Sequence, residues 1–221
     1  MADRIDGPPR AQLLAIARGS RQGPEGQADC SHVIETLARE FLREDDWIDS
    51  VNRKASSELA RRLESALAIA SQARSSSGNG EDRMAVAVAL VVWPLVGIGV
   101  AGRADGYIFE ESELRRVSGA GRIATWVGSV SDRAIACIGA GLSDQSVARL
   151  ADRAGGHYRS RAKRIAAELV AHSVSLGSRP AAAAVAKLSG GASPPLEAIA
   201  QTGVEEEPTE AAASRPATSS V

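Results

Sequence analysis

Aromatic side chains are scarce in this chain, since Phe, Trp and Tyr together make up 3% of its 221 residues. Small apolar residues, chiefly Ala and Val, take their place within an apolar share of 44%. Such side chains suit close packing between helices better than they suit a deep, aromatic-lined ligand pocket. The composition predicts a globular protein with a buried core and indicates no small-molecule substrate.

Cysteine is also rare, and Cys30 and Cys137 allow one disulfide at most. No C-x-x-C pair or Cys/His spacing typical of a zinc site occurs. Two isolated cysteines favour a reducing compartment. The N-terminal stretch MADRIDGPPR lacks the apolar core of a secretory signal. We therefore expect a cytoplasmic location.

The motifs of the common enzyme classes are missing. The chain has no G-x-S-x-G elbow, no Walker lysine loop and no strand-led G-x-G-x-x-G. Its histidines, His32, His157 and His172, have no metal-ligand spacing. The sequence thus predicts neither an enzyme nor a required cofactor. The net charge of -1 excludes a globally basic nucleic-acid binder but allows a local basic patch.

Apolar residues recur at helical intervals through much of the chain. The pattern predicts helices between residues 31 and 74, with a break near the acids at 44–46. The same spacing predicts helices over 122–138, 145–154 and 157–174. The clearest stripe consists of Val33, Ile34, Leu37, Phe41 and Leu42. The predicted fold class is all-α, a compact helical bundle with a central apolar helix.

Composition divides the chain into three predicted segments. Residues 1–28 form a flexible lead with one short helix, and residues 29–176 form the helical bundle domain. The Ser/Gly/Asn stretch 75–80 is a linker inside that domain. Residues 177–221 are rich in Ala, Pro, Ser and Glu, and we expect them to be a disordered tail.

The longest uncharged run, residues 84–102, has the length of a bilayer span. Pro94 near its centre, with Gly97, Gly99 and Gly102, disfavours a continuous helix. We expect a helix at the centre of the bundle. The open alternative is a membrane-associated protein that this segment anchors.

A basic hairpin over residues 149–164 is the strongest charge cluster. Two short predicted helices joined by a Gly-Gly turn resemble a helix-turn-helix. Its basic side chains are candidates for contact with nucleic acid or an acidic partner: Arg149, Arg153, Arg159, Arg161, Lys163 and Arg164. We interpret the protein as a non-enzymatic helical interaction or regulatory module that uses this hairpin.

The stretch VAGRADGYIFEESELRRV, residues 100–117, resembles the helix–loop–helix of the TerB-like tellurite-resistance family. The matching positions are Ala104, Asp105, Gly106, Ile108, Glu110, Glu111 and Glu113. The resemblance implies an all-helical stress or assembly module with a metal-sensitive acidic loop. Oxygen ligands from Asp105, Glu110 and Glu111 would suit Ca²⁺ or Mg²⁺. The plainer interpretation is a tight turn followed by acids at a helix start.

Overall fold

The computed structural model describes residues 12–19, 23–42, 46–75, 84–92, 95–110, 113–130, 134–152, 162–177, 181–188 and 198–202. The helices in these ranges are α1 (Pro24–Leu42), α2 (Asp46–Ser75), α3 (Asp144–Asp152) and α4 (Ala162–Ser175). The strands are β1 (Gln12–Arg18), β2 (Ala85–Val92), β3 (Leu95–Ala101), β4 (Ala104–Glu110), β5 (Glu113–Ser118), β6 (Ile123–Ser129), β7 (Ile135–Ala140), β8 (Ala182–Lys187) and β9 (Ala198–Thr202).

The strands form two antiparallel sheets that lie face to face. The first sheet has the order β1-β2-β3-β6, and the second has the order β5-β4-β7-β8-β9. Helices α1 and α2 cover the outer face of the first sheet, and α3 and α4 cover the outer face of the second. The protein is therefore a four-layer α/β sandwich, and the all-α prediction is wrong.

The apolar run 84–102 folds as the hairpin of β2 and β3, with Val92 paired to Leu95. Every residue of β2 is buried, because alternate side chains enter two different cores. Ala87 and Ala89 lie between the sheets, whereas Val88 and Leu90 face the helices. A strand that is buried on both faces has a continuous apolar sequence without alternation, so the sequence pattern does not distinguish it from a buried helix.

Neither alternative for residues 84–102 therefore holds. The segment is not a central helix, and it is not a membrane anchor, because it supplies two interior strands of the first sheet. Within the described ranges, no helix is both long enough and apolar enough to cross a bilayer.

Four other predicted assignments are also wrong. The short helix of the flexible lead is strand β1, and the helix over 122–138 is the pair of strands β6 and β7. The helix expected to follow the acidic turn is strand β5. Strands β8 and β9 lie within the range predicted to be a disordered tail. Alanine-rich β8 is an interior strand of the second sheet, where burial between neighbours overrides weak β propensity.

The helical stripes of residues 31–74 did predict helices correctly, and α1 and α2 occupy that range. Leu59, Leu63 and Leu67 of α2 are fully buried against the first sheet. A Cβ on Gly97 would lie 2.7 Å from Leu63, and one on Gly99 would lie 2.7 Å from Leu67. The two glycines of β3 thus let α2 approach the sheet closely.

Candidate functional site

A two-residue connection joins the two sheets at one end of the sandwich. Strand β3 ends at Ala101 in the first sheet, and β4 begins at Ala104 in the second. Arg18 pairs with Ala85, next to the β2 residue that pairs with Ala101. Ala104 pairs with Ala140 in the second sheet. We call this region the turn end; its residues are Arg18, Ala85, Arg103, Ala104, Ala140 and Ala182.

Gly102 fixes the path of the connection. Its φ of 69° lies in the left-handed region that favours glycine. A Cβ at this position would lie 2.5 Å from the Met84 carbonyl oxygen, so the backbone approaches β2 closely. The Gly102 carbonyl accepts a hydrogen bond of 3.0 Å from the Gly121 amide. The next residue, Arg103, therefore projects from a well-supported turn.

Strand alternation places the Arg18 side chain on the inner face of the first sheet. Leu14 and Ile16 of the same strand belong to the core between the sheets, and side chains two residues apart share a face. Arg18 is half-buried at the end of that core, whereas Arg103 is exposed. Burial lowers the pKa of Arg18, and the positive charge of Arg103 lowers it further.

Small apolar side chains form the turn end of the core between the sheets. The inward-facing alanines of this region belong to the same core between the sheets. They are Ala85, Ala104, Ala140 and Ala182. In the described part of the chain, neither Arg18 nor Arg103 forms an ion pair. Two neighbouring guanidinium groups without a carboxylate attract an anion.

The outer face of the second sheet has a contrasting arginine. Arg116 Nε donates to Asp105 Oδ1 over 3.2 Å, and Arg116 Nη1 lies 3.0 Å from Asp144 Oδ1. The guanidinium also lies 5.9 Å from the ring centroid of Tyr107. The hydrogen bond to Asp105 raises the pKa of Arg116. This arginine ties strands β4 and β5 to the start of α3.

Tyr107 is the buried polar group beneath that cluster. Its hydroxyl is buried and has no hydrogen-bond partner among the described residues. Burial raises the pKa of Tyr107 above its ordinary value, and the charge of Asp105 raises it further. An unsatisfied buried hydroxyl costs stability.

A cleft of about 440 Å³ lies between α3 and α4. On one wall, Ser146 Oγ lies 2.8 Å from His172 Nδ1 and 2.6 Å from Ser143 Oγ, and it accepts a 3.0 Å bond from Ser173. The Ser146 amide donates to Ser143 Oγ, so Ser143 caps α3. The Ser146 hydroxyl therefore has three hydrogen-bond partners. We interpret this network as one that holds α3 against α4.

The acidic loop predicted to bind a metal does not exist as a loop. Asp105 and Glu110 lie at opposite ends of β4, roughly 17 Å apart along the strand and on opposite faces. Glu111 lies outside the described residues. Over the described ranges, no three or more His, Cys, Asp or Glu side chains group to hold a metal. The segment 100–117 is largely the hairpin of β4 and β5, not a TerB-like helix–loop–helix.

The members of the predicted basic hairpin do not all fall in described parts of the chain. Arg149 lies on α3, and Lys163 and Arg164 lie exposed on α4. Arg164 pairs with Glu168 at 2.8 Å. The other members, Arg153, Arg159 and Arg161, lie outside the described residues. The helices that carry the described members cover a β-sheet, in contrast to the predicted helical bundle.

The sequence interpretation missed Arg18 and Arg103. The signal was the apolar stretch LLAIA ending directly in Arg18, which as a strand places this arginine at the edge of a sheet. Arg103 follows a glycine between two strands, and that spacing is typical of a tight turn. Both signals depend on assigning strands where we predicted helices.

Comparison with solved structures identifies the fold. The catalytic domain of the serine/threonine protein phosphatase PstP, in complex with two manganese ions, has a TM-score of 0.54 and 16% identity and covers 78% of this chain and 85% of its own. Stp1 from Staphylococcus aureus has a TM-score of 0.56 and 12% identity over 82% and 85%. The fold is that of the PP2C serine/threonine phosphatases.

PppA, a regulatory component of the type VI secretion system in Pseudomonas aeruginosa, shares this PP2C fold. It has a TM-score of 0.53 and 14% identity and covers 78% of this chain and 84% of its own. No protein-family model matches the sequence, and no curated protein sequence matches it. At these identities the likeness establishes the fold alone.

The PP2C fold overturns several predictions made from the sequence. The TerB-like resemblance and the helical interaction module are wrong, because the similar structures are serine/threonine phosphatases. The prediction against an enzyme is wrong for the same reason. Nucleic acid and membrane, predicted as alternative partners, gain no support from these phosphatase structures.

The prediction that no cofactor is involved is contradicted by PstP, which holds two manganese ions. The residues described in this chain do not fit such a pair. Manganese prefers oxygen ligands such as carboxylates, and within the described ranges no three or more His, Cys, Asp or Glu side chains group to hold a metal. Asp105 of β4 is bound by Arg116.

Proposed function

We propose that the protein recognises phosphorylated serine and threonine side chains of other proteins. The observation that carries the proposal is the PP2C fold, because both sheets and their helices resemble serine/threonine phosphatases over 78% or more of this chain. In this proposal the fold would present the arginines of the turn end to a phosphorylated segment.

The turn end supports the proposal electrostatically. A phosphorylated serine carries a charge of about -1.5 to -2 near neutral pH and three strong acceptor oxygens. Guanidinium groups match those oxygens in charge and geometry. The half-buried Arg18 and the exposed Arg103 would both attract such a group.

We keep a cytoplasmic location within the proposal. Cys30 and Cys137 are both free thiols, as in proteins of reducing compartments. Kinases and their phosphorylated protein products in the same compartment would supply the ligand.

Binding of peptides tests the proposal directly. We would measure fluorescence anisotropy with a mixture of peptides that carry central phosphoserine or phosphothreonine and with the same mixture unphosphorylated. We expect at least tenfold tighter binding of the phosphorylated mixture, because hydrogen bonds to a charged group contribute roughly 1.5–3 kcal/mol.

Equal affinity for the two mixtures would contradict the proposal. A third mixture with glutamate in place of the phosphorylated residue is the control for simple negative charge. Phosphate release should be followed in the same samples, with manganese and with a chelator, so that turnover is measured separately from recognition.

A further inference from the structure

We propose that Arg18 and Arg103 form one anion site, which holds a phosphoryl group by direct contact with guanidinium groups and without bound metal ions. The ligand class is a phosphate monoester, and its identity as a phosphorylated protein side chain rests on the proposed function. The site differs in its chemistry from the manganese-bound PstP structure, although the fold is shared.

The strand register brings the two arginines within reach of one small ligand. Arg18 ends β1, and Arg103 follows β3, with only β2 between these strands. Adjacent strands are separated by about 4.8 Å, so the two backbones are roughly 10 Å apart at this edge. An arginine side chain is long enough to span half of that distance. A phosphoryl group beyond the start of β2, on this edge of the sheet, would therefore be within reach of both guanidinium groups.

The charges at the turn end favour the binding of an anion between Arg18 and Arg103. The two positive side chains repel each other, and among the described residues no carboxylate pairs with either. Such an arrangement is unfavourable unless a ligand brings negative charge, since an opposite charge nearby stabilises both groups. Arg116 has two carboxylate partners and needs no ligand.

Partial burial of Arg18 strengthens its interaction with a bound anion. Arg18 lies on the inner face of β1, at the opening between the two sheets. The lower dielectric there strengthens a charge-assisted hydrogen bond. Ala104, Ala140 and Ala182 at this end of the core are apolar and buried, so they offer no charge that competes with a bound anion. A phosphoryl group, with a charge of about -1.5 to -2, is attracted there more strongly than a singly charged carboxylate.

Titration calorimetry tests the site with two probes, inorganic phosphate and a phosphoserine peptide, each with manganese and with a chelator. We expect the same affinity under both metal conditions. Arg18→Gln and Arg103→Gln should each weaken binding of both probes by at least tenfold. Arg18→Lys should weaken binding less than Arg18→Gln, because lysine keeps the charge but loses the planar fork.

Arg164→Gln is the matched control. It removes the same charge from an exposed arginine, but that arginine lies on α4 over the other sheet and is paired with Glu168. We expect its affinity for both probes to be unchanged. A similar loss in this control would show attraction by net charge alone and would overturn the site. If Arg18→Gln does not fold, Arg103→Gln on the exposed turn still decides the question.

The two probes separate this inference from the proposed function. If the phosphoserine peptide binds specifically but both glutamine variants bind it equally well, the arginine site is wrong and the proposed function stands. If phosphate binds with arginine dependence but peptide phosphorylation makes no difference, the site stands and the proposed function fails. Binding that appears only with manganese would overturn the metal-free site.

Discussion

Arg18 and Arg116 lie toward the same end of the sandwich and differ in every respect that matters for binding. Arg18 faces the space between the sheets, is half-buried and lacks a carboxylate partner among the described residues. Arg116 lies on the outer face of the second sheet and contacts both Asp105 and Asp144. The pKa of Arg18 is lowered and that of Arg116 is raised.

The contrast separates an arginine that stabilises the fold from one that is available to a ligand. A charge with two carboxylate partners contributes to folding, because its removal leaves those carboxylates uncompensated. A half-buried charge beside another of the same sign opposes folding, and such features are typical of functional sites. The comparison therefore predicts opposite stability effects for the two positions.

Arg116→Met should give the largest effect, a loss of about 1–2 kcal/mol in the free energy of unfolding. The Asp105 side chain is only 18% exposed and would lose its partner, although solvent at the half-exposed Arg116 moderates the cost. Urea unfolding measures the change. Arg164→Met is the control, since Arg164 pairs with Glu168 on the exposed face of α4, and it should change stability by less than about 0.5 kcal/mol. Equal losses in the two variants would contradict a structural role for Arg116.

Tyr107→Phe should stabilise the protein by about 1 kcal/mol, because it removes a buried hydroxyl that has no partner among the described residues. Its pH dependence sharpens the test. The pKa of Tyr107 is raised in the folded state, so the unfolded chain loses this proton first as pH rises above about 10. The parent should then lose about 1 kcal/mol more than the variant by about pH 11. Parallel stability curves for the two proteins would contradict this assignment.

Arg18→Met should give the smallest effect and the opposite sign to Arg116→Met, a gain of about 0.5 kcal/mol. The change replaces a half-buried like charge with an apolar side chain at the end of the core. Thermal unfolding at low salt measures it. The gain should shrink when phosphate is added, because phosphate stabilises only the parent. A loss of stability without phosphate would mean that Arg18 has a structural partner.

The helices and strands were predicted with unequal success, and β2 illustrates why. Helices α1 and α2 bury one stripe each, so their 3.6-residue period is visible in the sequence. Strand β2 buries alternate residues in two different cores and shows no alternation. The run 84–102 was therefore interpreted as one helix, although Pro94 and the glycines already disfavoured a continuous helix.

The candidate site could be predicted only in part. Its residue types and the tight turn at Gly102–Arg103 are visible in the chain. The meeting of Arg18 with Arg103 is not, because 84 residues separate them and only the pairing of β1 with β2 and of β2 with β3 brings them together. The acids singled out in the sequence proved to be separated instead, since β4 places Asp105 and Glu110 on opposite faces.

The sequence by itself determined the local features of this protein: the amphipathic helices, the cap at Ser143, the glycine turn at Gly102 and the small number of cysteines. Each follows from interactions within a few residues or from composition. Tertiary structure alone decided which apolar runs became strands and which charges were paired. A strand gains stability only from its neighbours, and an arginine becomes structural or ligand-binding according to the carboxylates that the fold places beside it.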